Sequence, residues 1–210
     1  MPILLRAFLT AATVTSASTA LADDWVSLFD GQDLSQWEAV DNMSENWKVE
    51  DGTFYCSAGN GWLASKQEYP NFELELEFRI HPGANSGVLA RLPLVGASDL
   101  KGLEIQILDN DAPEFANLLP YQYCGGLYGC EAPSGKAFTK AGEWQKYHIV
   151  VDGRRVKATH NGTPIIDSDL EKHQDKLASR PGIANTTGHI GLQAHNGRVD
   201  FRNVRIKRLP

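Results

Sequence analysis

The chain has 210 residues, with 26 acidic side chains against 20 basic ones and a net charge of −6. That length is about one domain's worth of chain. The Lys and Arg residues are dispersed, so the basic patch that nucleic acid or an anionic membrane requires is missing, and a neutral ligand fits better.

Residues 1–22 combine Arg6, an apolar stretch around Ala7 to Val14, and the small-residue sequence Ala20-Leu21-Ala22. This is the pattern of a secretory signal peptide cut before Asp23. The stretch is too short to span a bilayer, and nothing later in the chain approaches the length needed. No Cys follows the small residues and no Arg pair precedes the apolar ones, so lipid anchoring and the twin-arginine route lack their signatures. The expectation is a secreted protein, periplasmic or extracellular, without membrane insertion, whose single domain is residues 23–210.

From Asp23 onward the dominant period is two. Phe72, Leu74, Leu76, Phe78 and Ile80 alternate with four charged residues, which predicts a strand with one buried and one wet face. Ser86–Arg91, Leu103–Leu108, Tyr147–Val151, Arg155–Thr159, His189–His195 and Val199–Ile206 alternate similarly. Asp51-Gly52, Asp152-Gly153, Asn161-Gly162 and Asn196-Gly197 are hairpin signals, because these residues tolerate positive φ. Many short, closely spaced strands predict an all-β antiparallel β-sandwich or jelly roll. One short helix is expected over Asp169–Ser179, stopped by Arg180-Pro181-Gly182. Residues 110–142 form a long loop rich in aromatics, which marks it as functional rather than disordered. Trp37, Trp47 and Trp144 stand beside strand signals and are expected in the core. Three Cys in an oxidising compartment leave one unpaired; Cys124 with Cys130 is the expected disulfide and Cys56 the buried free thiol.

A succession of short motifs runs through the mature chain: Leu28-Phe29-Asp30-Gly31 with Leu34 and Trp37, Trp47 to Gly52, Tyr69-Pro70-Asn71-Phe72-Glu73, and Asn85-Ser86-Gly87-Val88 with Arg91. Then follow Gly102 to Asp109, Gly126-Leu127-Tyr128-Gly129, Gly142-Glu143-Trp144, His160-Asn161-Gly162, and Gly188 to Gln193 through Phe201-Arg202-Asn203. In this order the set resembles the 3-keto-disaccharide hydrolase family. The resemblance implies a concanavalin A-like jelly roll and cleavage of glycosides oxidised to a ketone at C3.

On Leu103–Leu108 the apolar residues share one face while Glu104 and Gln106 share the other. Asp109, five residues beyond Glu104, joins that face only through a β-bulge. The pattern Glu-x-Gln-x-x-Asp resembles the Glu-x-Asp-x-x-Glu strand of β-glucanases but departs at two of its three acidic positions. A retaining glycosidase holds its two carboxyl groups about 5–5.5 Å apart, and the shorter Asp109 and uncharged Gln106 fit that chemistry poorly. Elimination beside a C3 ketone needs a base near C2, an electrophile at the enolate oxygen and a proton donor for the leaving group. Glu104, Asp109 and His195 are the candidate catalytic residues. Arg91, Gln106, Tyr128, Gln193 and Asn85 are candidate substrate-binding residues, with Trp62 a candidate stacking platform. Should a divalent cation bind, Glu104, Asp109 and His195 would offer calcium, magnesium or manganese a hard, oxygen-rich site. Arg202 and Asn203 are expected to anchor the last strand and its bulge. The expected ligand is a carbohydrate or glycoside. A non-catalytic carbohydrate-binding, lectin-like module is the alternative function, and a two-carboxylate β-glycanase the second alternative.

Overall fold

A computed structural model of the chain describes residues 24–40, 44–96, 98–135 and 137–210. The expected signal peptide, residues 1–22, lies outside the described residues. Among the described residues there are thirteen strands: β1 (Val26–Ser27), β2 (Trp37–Val40), β3 (Trp47–Glu50), β4 (Thr53–Cys56), β5 (Gly61–Glu68), β6 (Phe72–Ile80), β7 (Asn85–Leu92), β8 (Leu103–Leu108), β9 (Trp144–Asp152), β10 (Arg155–His160), β11 (Thr163–Asp169), β12 (His189–Ala194) and β13 (Val199–Arg208). They form two antiparallel sheets stacked as a jelly-roll sandwich. The larger runs β11-β10-β9-β6-β13-β4-β3, with β1 also on β13; the smaller runs β2-β5-β12-β7-β8.

The alternation of β6 is realised fully. Phe72, Leu74, Leu76, Phe78 and Ile80 are all buried in the core between the sheets. Glu73, Glu75 and Glu77 face outward and pair with His148, Lys146, Arg202, Arg205 and Lys207. The Asp51-Gly52 and Asn161-Gly162 turns adopt positive φ at both residues, the mirror-image geometry that matches strand twist in two-residue hairpins. In β13 the register against β6 shifts between Arg202 and Arg205, and Asn203 sits at φ +52°. The Arg202 and Asn203 side chains both donate to Glu77 there, as anchors of the bulge.

Three expectations are corrected. The helical segment is a 3-10 helix, Leu170–Lys176, with non-helical dihedrals at His173. Trp144 is not core: Arg79 and Arg202 stack over its ring on the outer face of the larger sheet. The Cys124–Cys130 disulfide is absent, and Cys56, Cys124 and Cys130 are free thiols. Cys124 is buried with its Sγ 3.2 Å from the Tyr147 hydroxyl, while Leu127, buried in the core, bridges Ile105 and Glu131. Between the two cysteines the chain runs as an extended segment along β8 and only then turns, with Cys130 N bonding Leu127 O.

Candidate active site

The two faces of the smaller sheet differ in kind. Val88, Ala90, Leu103, Ile105, Ile190 and Leu192 point into the sandwich. Residues of the opposite parity form the outer face, and there the polar side chains collect. The pairing Gln193↔Trp62↔Val40 on one side and Gln106↔Gly87 on the other sets out one row across it. The register Gly191↔Leu89 and Leu192↔Val88, continued by one residue, brings Gly87 beside Gln193 and joins the two halves. The next row is Glu104, Leu89, Gly191, Ala64 and Glu38.

The loop after β8 extends this sheet. Gly125 N bonds Gln106 O, Gln106 N bonds Gly126 O, and Tyr128 N bonds Glu104 O. Tyr128 therefore stands directly beside Glu104, with Leu127 turned to the core. Gln122 Nε2 donates to the Tyr128 hydroxyl oxygen at 2.8 Å, which leaves the phenolic proton free to be donated elsewhere.

Glu104 is 2% exposed. Its carboxyl group lies over Gly87, where a Cβ would collide with Oε1, so the glycine of Asn85-Ser86-Gly87 is what makes room for the acid. Burial is the main cause, and the charge of Asp99 the next, of a pKa pushed up to about 8; Arg180 opposes them. The group is thus held mainly in its protonated form at pH 7. Beside it Gln106 Oε1 is buried without a hydrogen-bond partner, as is Asn85 Oδ1. Buried polar atoms of this kind are rarely left unpaired in a native protein, and two on one face suit a ligand that supplies hydroxyl groups.

His195 lies just past β12, exposed, and lines a cavity of about 240 Å³ with Asn60, Trp62, Ser98, Asp99 and Gln193. Trp62 itself is 5% exposed, packed with Val40, Ala64, Leu89 and Leu92. It is a wall of that cavity rather than an open stacking platform.

Two candidates leave the site. Arg91 is 1% exposed, and its guanidinium donates to Pro70 O, Asn185 O and Asn71 Oδ1. A bulge in β7 explains this: the register against β12 shifts here, and Arg91 adopts φ +55°, which turns its side chain away from the face. Asp109 does not join Glu104 either. The β7–β8 pairing is regular from Asn85↔Leu108 to Ala90↔Leu103, so the bulge that would have re-aimed it does not exist. Asp109 instead caps the turns beyond the strand, accepting from Gly83 N and Asp111 N. The triad Glu104, Asp109 and His195 is accordingly not assembled, and among the described residues no three His, Cys, Asp or Glu side chains could together hold a metal ion.

Sequence reasoning missed Arg180 and Asp99. Arg180 is 8% exposed; it stacks over the Tyr128 ring with Cζ 5.2 Å from the centroid and donates to Asp99 O at 2.9 Å. The only local signal was Arg180-Pro181-Gly182, which reads as a chain stop. A larger cavity, about 700 Å³, opens elsewhere, between residues 110–140 and β10–β11. Its one imidazole, His160, has a pKa lowered to about 4 by burial, and Asp111, Tyr123 and Lys140 line it together with Pro133, Phe138 and Ile165. A buried acid, Glu104, meets a tyrosine and a guanidinium on the outer face of the smaller sheet.

Residues 24–207 match the family described as 3-keto-alpha-glucoside-1,2-lyase-like domain. A curated 3-keto-disaccharide hydrolase of Bacteroides thetaiotaomicron is 28% identical over 228 residues, covering 89% of this chain and 79% of that protein. Two crystal structures of candidate glycosyl hydrolases from Parabacteroides distasonis share the fold. One is 24% identical with a TM-score of 0.82, covering 91% of this chain and 99% of its own. The other is 31% identical with a TM-score of 0.77, covering 88% and 99%.

Proposed function

Because this chain belongs to the family of 3-keto-alpha-glucoside-1,2-lyase-like domains, we propose that it is a secreted hydrolase of 3-keto-glycosides, working by elimination followed by hydration. The lyase in the family description and the hydrolase in the relative's name are then two halves of one reaction. A ketone at C3 acidifies the C2 proton. A base removes it, the electron pair passes through the enolate to form the C1–C2 double bond, and the bond from C1 to the leaving oxygen breaks as that oxygen gains a proton. Water then adds to C1 and a proton returns to C2. The net change is hydrolysis, with nothing oxidised or reduced.

Each role has a residue on the outer face of the smaller sheet. Glu104, mainly protonated at pH 7, donates a hydrogen bond to the C3 oxygen as negative charge develops on it, the use made of carboxylic acids kept protonated by an apolar site. Tyr128 carries the free phenolic proton for the leaving oxygen. His195, the exposed imidazole of the adjoining cavity, takes the C2 proton. Gln106, Asn85 and Gln193 offer amides to the sugar hydroxyls. Asp109 takes no part, so the Glu104–Asp109 pair of the two-carboxylate reading is not available.

The single observation that carries this reading is the Glu104 carboxyl group, buried beside Tyr128 over a glycine that makes room for it. The test is to incubate the purified protein with a 3-keto-glucoside and with its unoxidised parent, and to follow aglycone release. Cleavage of the keto compound alone is expected. Cleavage of the parent, or binding of the keto compound without turnover, would contradict the proposal.

A further inference from the structure

We propose that Arg180 and Asp99 form a charge pair that positions Tyr128 and sets the ease with which Glu104 gives up its proton. This rests on the function proposed above and adds a positioning device to it.

Arg180 enters from the segment before the 3-10 helix Pro181–Ala184. Its stem runs across Gly129, where a Cβ would overlap Cδ, Nε and Cζ and where the backbone is already at φ +72°, so a glycine at this position suits both the turn and the guanidinium. The guanidinium then lies over the Tyr128 ring and reaches Asp99 by two routes: Nη2 to the backbone oxygen at 2.9 Å, and Nη1 to Oδ2 at 3.9 Å. Asp99 in turn lines the cavity holding His195 and Gln193. The pair therefore joins the Tyr128–Glu104 half of the site to the His195 half. Lys176 Nζ fixes the same turn, donating to Gly129 O and Cys130 O.

The groups facing Glu104 can be taken element by element. Beyond β8 stands Tyr128; from the β7–β8 connection comes Asp99, and from the segment before Pro181 comes Arg180. On β7 and β12 the neighbours are Gly87, Leu89 and Gly191, none of which carries charge. Arg180 favours the ionised acid and Asp99 disfavours it, so removing either charge should displace the titration, in opposite directions. A contact that merely held the fold would not do so.

The experiment uses full-length Arg180→Gln and Asp99→Asn proteins, with glutamate carboxyl carbons labelled with ¹³C and the Glu104 resonance identified by its loss in Glu104→Gln. The Glu104 midpoint should rise by about 1 pH unit or more in Arg180→Gln and fall by a similar amount in Asp99→Asn. The alkaline limb of kcat on a 3-keto-glucoside should move with it. Midpoints that stay put, or that move in the same direction, would overturn the proposal. If Arg180→Gln does not fold, Asp99→Asn alone decides by the sign of its displacement. The resonance needs no substrate, so a failure of the pair is distinguishable from a failure of the keto-glycoside reading, which would appear as wild-type protein that titrates as described and turns nothing over.

Discussion

At the scale of single residues, the site depends on an atom that is missing. Glu104 fits because residue 87 has no side chain, and the acid occupies the space above its backbone. Gly87→Ala should therefore displace the carboxyl group while leaving a backbone that alanine tolerates, since Gly87 is not among the positive-φ glycines. The expected outcome is a turnover loss on the order of 10²-fold, the cost of misplacing a catalytic group by about 1 Å, with overpacking costing about 1–3 kcal/mol of stability. Steady-state kinetics and thermal melts measure both. Full turnover in Gly87→Ala would mean that the carboxyl position is immaterial. Glu104 and Gln106 were legible from parity alone, and so was the place of Gln193. Arg180 was not, because its approach to Tyr128 is made by a segment some fifty residues away in sequence, and no local pattern encodes such a contact.

At the scale of elements, β6 and β8 teach opposite lessons. In β6 the outer residues are charged and the inner ones apolar, so period two gives the face of every side chain. In β8 all six residues are buried: the Gly126–Tyr128 segment pairs along its outer edge, and Asp99 and Arg180 stand near enough to Glu104 to act on its charge. Alternation still sorts the faces, but it cannot tell a solvated face from a roofed one. The expected bulge after Glu104 was an inference from spacing, and the regular β7–β8 ladder removes it. The register shifts of this sheet lie instead where β12 meets β5 and where it meets β7, at Arg91. Arg91→Leu should leave the carbonyls of Pro70 and Asn185 without their donor and so cost several kcal/mol, on the order of 3–5, in urea denaturation. At a denaturant-free temperature where the variant is folded, its KM for a 3-keto-glucoside should match wild type; a large KM change without loss of stability would return Arg91 to the site.

At the scale of the whole molecule, the two outer faces of the sandwich have different work. On the larger sheet the charged groups are satisfied among themselves: Glu73, Glu75 and Glu77 are paired, Asp200 is held by Arg79, His81 and Arg198, and arginines lie over Trp25, Tyr55 and Trp144. On the smaller sheet a buried acid has no hydrogen bond among the described residues, and two amide oxygens lack partners. A closed network stabilises, whereas unspent hydrogen-bonding capacity in a covered face is what a ligand fills. The sandwich was readable because strand period and turn residues are local properties. Which face would be covered was not, since that depends on where residues 110–142 and the Arg180 segment pack. The measurement that tests this account most directly is turnover of a 3-keto-glucoside by Glu104→Gln, a nearly isosteric change that replaces the acidic O–H by the much weaker hydrogen-bond donor of an amide. A fall of roughly 10²- to 10³-fold in kcat with an unchanged melting profile is predicted; a folded variant with wild-type kcat would contradict it.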